Sequence, residues 1–393
     1  MKIVKTQTKV TLLLLSMLTM MSNVAIVTML PHLSTIFKNI ENIELLSRLM
    51  ITLPSLAIAI FAPFLGHIIN KFGKKNSLII ALFSYSLFGT AGFYLDTLFE
   101  ILVSRFFFGI AIATLMIVIT SLIGDYFKNE ARYKFMGLQS AFISIGGVVF
   151  IVGGGVLSDI GWNYTFAIYA VGLIVLIFVL KYLVEHKVKT SLIDDEEHLL
   201  NHNLWYIYLL AFSLMLVFYI VPTQMPFLMI NVFNASGMLT GEIIAVAFVF
   251  NAAGALTFAK LKKYFKFSQI YLIGMMIIAI GFILIGNISS INYFFLTSPI
   301  LGFGGGILIA NMTAWMLSVA HHTKRIKSSS YLTSALYMGQ FSSPLLFHPM
   351  VEYFGVQDFF IVSGVGLFII IAVFIVKHWM KIDVKLSSFK KQE

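Results

Sequence analysis

The chain has 393 residues, 59% of them hydrophobic and only 11% charged, with a formal net charge of +10 and no cysteine. Soluble domains carry about 25% charged residues, so water is not the main solvent of this chain. The lack of cysteine excludes disulfides, thiolate metal sites and cysteine nucleophiles.

At the N-terminus, "MKIVKTQTKV" precedes "TLLLLSMLTMMSNVAIVTML". Lysines followed by about twenty apolar positions predict a retained transmembrane helix, since a cleaved signal has a shorter apolar region. Segments of spanning length then recur along the chain, at 9–31, 46–69, 77–95, 98–123, 135–158, 163–183, 203–225, 241–259, 268–286, 292–318, 329–350 and 359–378. None alternates polar and apolar residues as barrel strands do. The reading is an all-α membrane protein with twelve transmembrane helices, both termini on one side. The longest polar interval, "EHKVKTSLIDDEEHLLNHN", divides it. Residues 1–184 form an N-terminal six-helix bundle, 185–203 a cytoplasmic linker, and 204–393 a C-terminal six-helix bundle with a short tail. His198 and His202 in the linker have no partner cluster for a metal, and none is expected.

The basic residues orient these spans. With the termini and every even-to-odd connection in the cytoplasm, all 27 Lys and Arg residues lie inside except Lys38, Arg48 and Arg105, as the positive-inside rule requires. The positive charge therefore sets topology and does not imply nucleic acid. Two six-span halves suggest a duplicated architecture with a cavity between them.

The connection between spans two and three reads "GHIINKFGKKNSL", residues 66–78. Gly66 is expected to let helices approach and Gly73 to permit a tight turn. Here the chain resembles the major facilitator superfamily, whose signature in this loop is Gly-x-Leu-Ala-Asp-Arg-x-Gly-Arg-Arg-x-x-Leu. Gly66, Lys71, Gly73, Lys74, Lys75 and Leu78 match in type, while Asn70 replaces the Asp. The resemblance implies two pseudo-symmetric six-helix bundles, alternating-access transport, no cofactor and a gating role for this loop. In "LIGDYFKNEARYKFMG" (122–137), Asp125 is the acid best placed to stand in for the one missing at Asn70, with Arg132 in the same charge cluster. The equivalent loop of the second half, "FAKLKKYFKFS", stays basic and loses the glycine.

"LVSRFFFG" (102–109) places Arg105 inside the fourth span. Arg105 and Gly109 resemble the Leu-x-x-x-Arg-x-x-x-Gly pattern of the superfamily's twelve-span drug and metabolite–proton antiporters, of the arabinose-efflux-permease kind. That resemblance implies an arginine facing the central cavity, where it binds anionic groups or affects proton movement. The alternative is an arginine snorkelling to the outer interface, about 10 Å of helix rise away. Its counterpart in the second half, about 194 residues on, is Pro299, so the charge belongs to one half only. In the fifth span Gly146, Gly154 and Gly155 favour close helix packing, although Phe150 and Ile151 stand where the antiporters carry Gly-Pro.

Polar residues inside spans need partners or water. Asn23, Gln139, Asn251, Asn311 and Gln340 are candidates for a cavity lining. Gln224, between Pro222 and Pro226, marks a broken helix end, and "YMGQFSSP" (337–344) joins Tyr337, Gln340 and Pro344 in a candidate gate element. No acid lies deep in spans one to six, and His348 is the deep-placed histidine, a side chain that ordinarily titrates near 6.5. The resemblance implies proton-coupled efflux of a small amphipathic drug or metabolite, by a monomer in a bacterial cell membrane. The alternative is uptake of a small nutrient or organic anion. The spans carry no catalytic constellation, so an enzyme is not expected.

Overall fold

A computed structural model describes residues 4–127, 129–183, 202–320 and 325–389; the linker expected at 185–203 lies almost wholly outside the described residues. Helices account for nearly all of them, because a chain in lipid must satisfy its backbone groups internally. In chain order these are α1 (Thr6–Val24), α2 (Ile43–Phe72), α3 (Lys74–Phe93), α4 (Leu98–Tyr126), α5 (Asn129–Ile160) and α6 (Tyr164–Tyr182). The second set comprises α7 (Leu204–Val232), α8 (Gly237–Leu261), α9 (Phe267–Gly286), α10 (Ile291–Val319), α11 (Arg325–Phe354) and α12 (Val356–Phe389).

Ten helical segments among the described residues are long and apolar enough to cross a membrane. The other two expected spans are helical as well. The one at 329–350 lies in α11, whose serines, Gln340 and His348 lower its apolarity. The one at 9–31 is not a single helix. α1 stops at Val24, a 3-10 turn covers Val27–Met29, and a short helix resumes at Leu30–Ile36 with Pro31 in its first turn. Proline has no N–H and is best tolerated at a helix start, so the chain restarts around it.

The helices alternate in direction and so define two ends. One carries Lys71, Lys74, Lys75, Lys260, Lys262 and Lys263 and is called the basic end; the other carries Glu44, Asp159, Glu352 and Asp358 and is called the acidic end. At the basic end Gly73 links α2 directly to α3 with φ 86°, a backbone conformation that costs a residue with a Cβ. Gly66 behaves differently from its expectation: a Cβ there would meet nothing within 4 Å, so close helix approach does not explain it.

Two apolar cores fill the molecule. One is built mainly from α1–α6 around Leu82, Phe108 and Ile112, and the other from α7–α12 around Ile278, Phe282 and Leu308. The two helix sets meet along α5 against α8 and α2 against α11. Gly155 makes the first contact possible, because a Cβ on it would run into the carbonyl of Gly237.

Candidate functional site between the helix sets

The seam between α2, α7 and α11 contains a charged side chain that sequence reasoning left at a span end. Arg48, one turn into α2, is 0% exposed. Its three nitrogens each have a partner. Nε donates to Gln224 Oε1 on α7 at 3.1 Å, Nη1 lies 3.2 Å from His348 Nδ1 on α11, and Nη2 donates to Glu44 Oε2 on its own helix at 3.1 Å. The guanidinium also lies 4.3 Å from the ring centroid of Phe227, a cation–π contact. An arginine has only donors, so His348 Nδ1 must be the acceptor and the imidazole proton sits on Nε2. That Nε2 is 3.4 Å from Glu352 Oε1.

The same seam continues toward the basic end. Ser55 Oγ on α2 donates to Gln340 Oε1 on α11 at 2.9 Å, while Gln340 Nε2 reaches Met215 Sδ on α7 at 3.6 Å. Further along, Tyr337 Oη donates to Met116 Sδ on α4 at 3.4 Å. The structure thus brings Gln224, Tyr337 and Gln340 together on one interface. Gln224 does not mark a helix end, however. The break in α7 falls at Tyr219, and the helix resumes over Ile220–Phe227. Pro222 sits in the first turn of that segment, where its missing N–H costs least. Gln224 is fully buried, and its Nε2 has no partner among the described residues.

At the acidic end α5 and α8 are joined through Asp159. Its Oδ1 accepts from Gly237 N at 2.6 Å and its Oδ2 from Met238 N at 2.9 Å. The first N–H groups of a helix lack internal partners and carry the positive end of its dipole. A carboxylate from one helix set therefore caps a helix of the other. Gly154 lies against the carbonyl of Ala25, at the break that follows α1, and a Cβ on Gly146 would be 3.1 Å from Met17 Cβ on α1.

Arg105 is placed elsewhere than the resemblance implies. It is 0% exposed and lies inside the α2–α4–α6 packing, not on the seam. Its Nε donates to the carbonyl of Met50 at 3.2 Å and its Nη2 to Tyr169 Oη at 3.4 Å, with Phe108 and Tyr169 rings 4.2 and 5.1 Å from the guanidinium carbon. The head is buried, so it does not snorkel to an outer surface either. The physical reason is Pro54 within α2. Proline cannot donate to the carbonyl four residues back, which is that of Met50, and Arg105 supplies the missing donor.

The remaining candidates are dispersed. Gln139 on α5 donates to Ser16 Oγ on α1 at 3.0 Å, and Asn311 on α10 donates to the carbonyl of Phe267 at 3.1 Å. Asn251 lines a cleft of about 400 Å³ between α8 and α10, with Gly306 and Thr313. At the basic end Lys74 pairs with Asp125 at 2.6 Å, joining α3 to α4, while Lys71 is exposed in the last turn of α2. The side chains of Asn23, Asn70 and Arg132 lie outside the described residues. Sequence reasoning missed Arg48 as a site residue, although it was one of only three exceptions to the positive-inside pattern. That exception was the available signal.

The Major Facilitator Superfamily profile matches residues 12–268 and 207–393. The chain belongs to the Major Facilitator Superfamily. That family comprises transporters, not enzymes. Multidrug resistance protein 2 of Bacillus subtilis (strain 168) is 30% identical over 149 residues, 37% of this chain and 35% of that protein. The niacin transporter of Acinetobacter baylyi is 27% identical over 120 residues, 30% of this chain and 27% of that protein. The chain thus spans about a third or less of the length of these two relatives. Among solved structures, a bacterial homolog of the human lysosomal transporter Spinster, inward-facing and occupied, superposes with a TM-score of 0.75 at 16% identity, covering 96% of this chain and 97% of that one. At that identity the likeness shows the fold: twelve helices of the superfamily type in a multi-pass membrane protein.

Proposed function

We propose that this superfamily member is a secondary active transporter that exports a small amphipathic drug or metabolite in exchange for protons. One observation carries the proposal. The buried hydrogen-bonding side chains Arg48, Ser55, Gln224, Gln340 and His348 converge where α2, α7 and α11 meet, which is the seam that must open and close if two six-helix halves rock about a central site. Polar groups in lipid are costly, and their concentration on a seam suits a path for a polar or charged species. The two bundles, 1–184 and 204–393, are the moving bodies of this reading.

The positive-inside rule supports a cytoplasmic basic end and an outer acidic end, in a cell membrane. In that orientation the Arg48 cluster and the Asp159 cap close the outer side, and a substrate enters from the cytoplasm. Gln224, Gln340 and Tyr337 are the proposed cavity residues, and one copy of the chain contains the whole seam. The relatives named for multidrug resistance support export. A second reading, uptake of a small organic anion, draws on Arg48 at the seam and on the niacin transporter among the relatives.

Purified protein in proteoliposomes with an imposed pH gradient tests the proposal. Gradient-driven movement of a cationic dye against its own gradient is the expected outcome. Movement of organic anions instead favours the second reading, and dye flux that ignores the pH gradient overturns proton exchange.

A further inference from the structure

We infer that His348 is a proton-binding site and that its protonation releases the Arg48 contact holding α2 to α11. The inference deepens the transport reading and rests on it for direction, but the geometry behind it is independent of any substrate.

Each side of the contact carries an acid one helical turn away. On α2, Glu44 and Arg48 are four residues apart and paired at 3.1 Å. On α11, His348 and Glu352 are four residues apart and 3.4 Å from each other. The hydrogen-bonded contact that Arg48 makes from α2 to α11 is the one from its Nη1 to His348 Nδ1 at 3.2 Å, with a longer-range attraction between Arg48 and Glu352 beside it. The hydrogen bond exists because a neutral imidazole offers a lone pair to the guanidinium. Adding a proton at Nδ1 removes that lone pair and sets an N–H against an N–H, with two positive charges about one hydrogen bond apart.

Both helices keep an internal alternative when the bond is lost. Arg48 retains Glu44, and the imidazolium gains Glu352 through Nε2–H. Each pair is then neutral within its own helix set, so the high cost of a buried unpaired charge is avoided on both sides. The charged groups facing His348 are Arg48 and Glu44 from α2 and Glu352 from its own helix. Gln224 of α7 is neutral, and Asp358 is exposed at the start of α12. Glu352 has a side chain 62% exposed at the acidic end, which places a solvated carboxylate beside the Nε2 side of the ring.

The chain has no cysteine, so two can be introduced without background. Asn39→Cys and Tyr353→Cys place exposed labels on either side of the acidic end. Spin-label distances in lipid nanodiscs, without substrate, are measured between about pH 8 and pH 5, the range in which histidine ordinarily titrates. The distance is expected to lengthen as pH falls, with a single midpoint. His348→Gln keeps an acceptor for Arg48 and cannot take a proton; it is expected to hold the short distance throughout. Glu352→Gln is expected to move the midpoint to lower pH, which separates titration from a mere packing role. A distance that never lengthens in the parent, or one that lengthens equally in His348→Gln, overturns the inference. The transport reading fails separately, by loss of gradient-driven flux while the distance change persists.

Discussion

Arg105 Nε lies 3.2 Å from the carbonyl of Met50, the acceptor that Pro54 leaves without a helical donor. One turn along α4, Gly109 lies against Pro54 itself, and a Cβ there would be 2.7 Å from Pro54 Cα. Arg105 and Gly109 share a helix face by their spacing of four. The arginine satisfies the interrupted helix and the glycine lets α4 reach it. The arginine–glycine pair thus reads as a clamp on the proline inside α2.

Removing the clamp therefore lowers stability. Arg105→Ala strands a buried carbonyl, at about 1–3 kcal/mol, and loses two aromatic contacts of about 0.5–2 kcal/mol each. We expect a lower unfolding temperature in detergent, measured by intrinsic fluorescence, and a reduced yield of monodisperse protein. Pro54→Ala restores the internal donor, so the double variant Pro54→Ala with Arg105→Gln is expected to recover most of the loss. If Arg105→Ala abolishes flux while leaving stability unchanged, Arg105 acts on substrate or protons instead.

The helices and their number were legible because lipid imposes a single rule on the backbone and a simple composition on each span. Gly73 was legible too, since a turn with nothing between two helices demands a positive φ. The positions of Arg48 and Arg105 were not. Arg105 depends on Pro54, fifty-one residues earlier, and no local pattern joins them. Arg48 sits near a span end, where an arginine ordinarily reaches water. Its burial follows from α7 and α11 covering it, which is a property of the other half of the chain.

Lys74 and Asp125 carry a short-range prediction. Their side chains are 15% and 16% exposed and 2.6 Å apart, tying the start of α3 to the end of α4. Asp125→Asn keeps the shape and removes the charge, at an expected cost of about 1 kcal/mol for a partly exposed pair. Lys74→Asp combined with Asp125→Lys is expected to regain part of that loss. A double-mutant cycle on thermal stability checks the coupling; strict additivity would mean the pair contributes nothing.

The Asp159 cap links the helix sets and so bears on conformation as well as stability. Asp159→Ala exposes two N–H groups of α8, a loss of about 0.5–2 kcal/mol for a helix cap. Because the donor helix lies across the seam, that loss weakens closure at the acidic end. Thr28 is fully buried in the turn after α1 and serves as a reporter. With Thr28→Cys, the rate of labelling by an impermeant thiol reagent is expected to rise about fivefold per kcal/mol lost. An unchanged rate means that Asp159 caps α8 without holding the seam.

Gly155 offers the complementary test, by preventing closure instead of loosening it. A Cβ at this position meets the carbonyl of Gly237 and comes within 3.0 Å of Met238 Cα. Both are backbone atoms in the first turn of α8, anchored by the Asp159 cap, and neither can swing aside as a flexible side chain would. Small-to-large changes in packed interiors typically cost about 1–3 kcal/mol, and here the strain exists only while α5 and α8 are together. Gly155→Val is therefore expected to leave helix content and insertion unchanged, to lengthen the Asn39–Tyr353 label distance at every pH, and to reduce gradient-driven flux at least about tenfold, the equivalent of about 1.4 kcal/mol. His348→Gln, by contrast, reduces flux with the distance held short. Two variants that stop transport with opposite distance signatures place closure at α5–α8 and its release at α2–α11 as separate steps of one cycle.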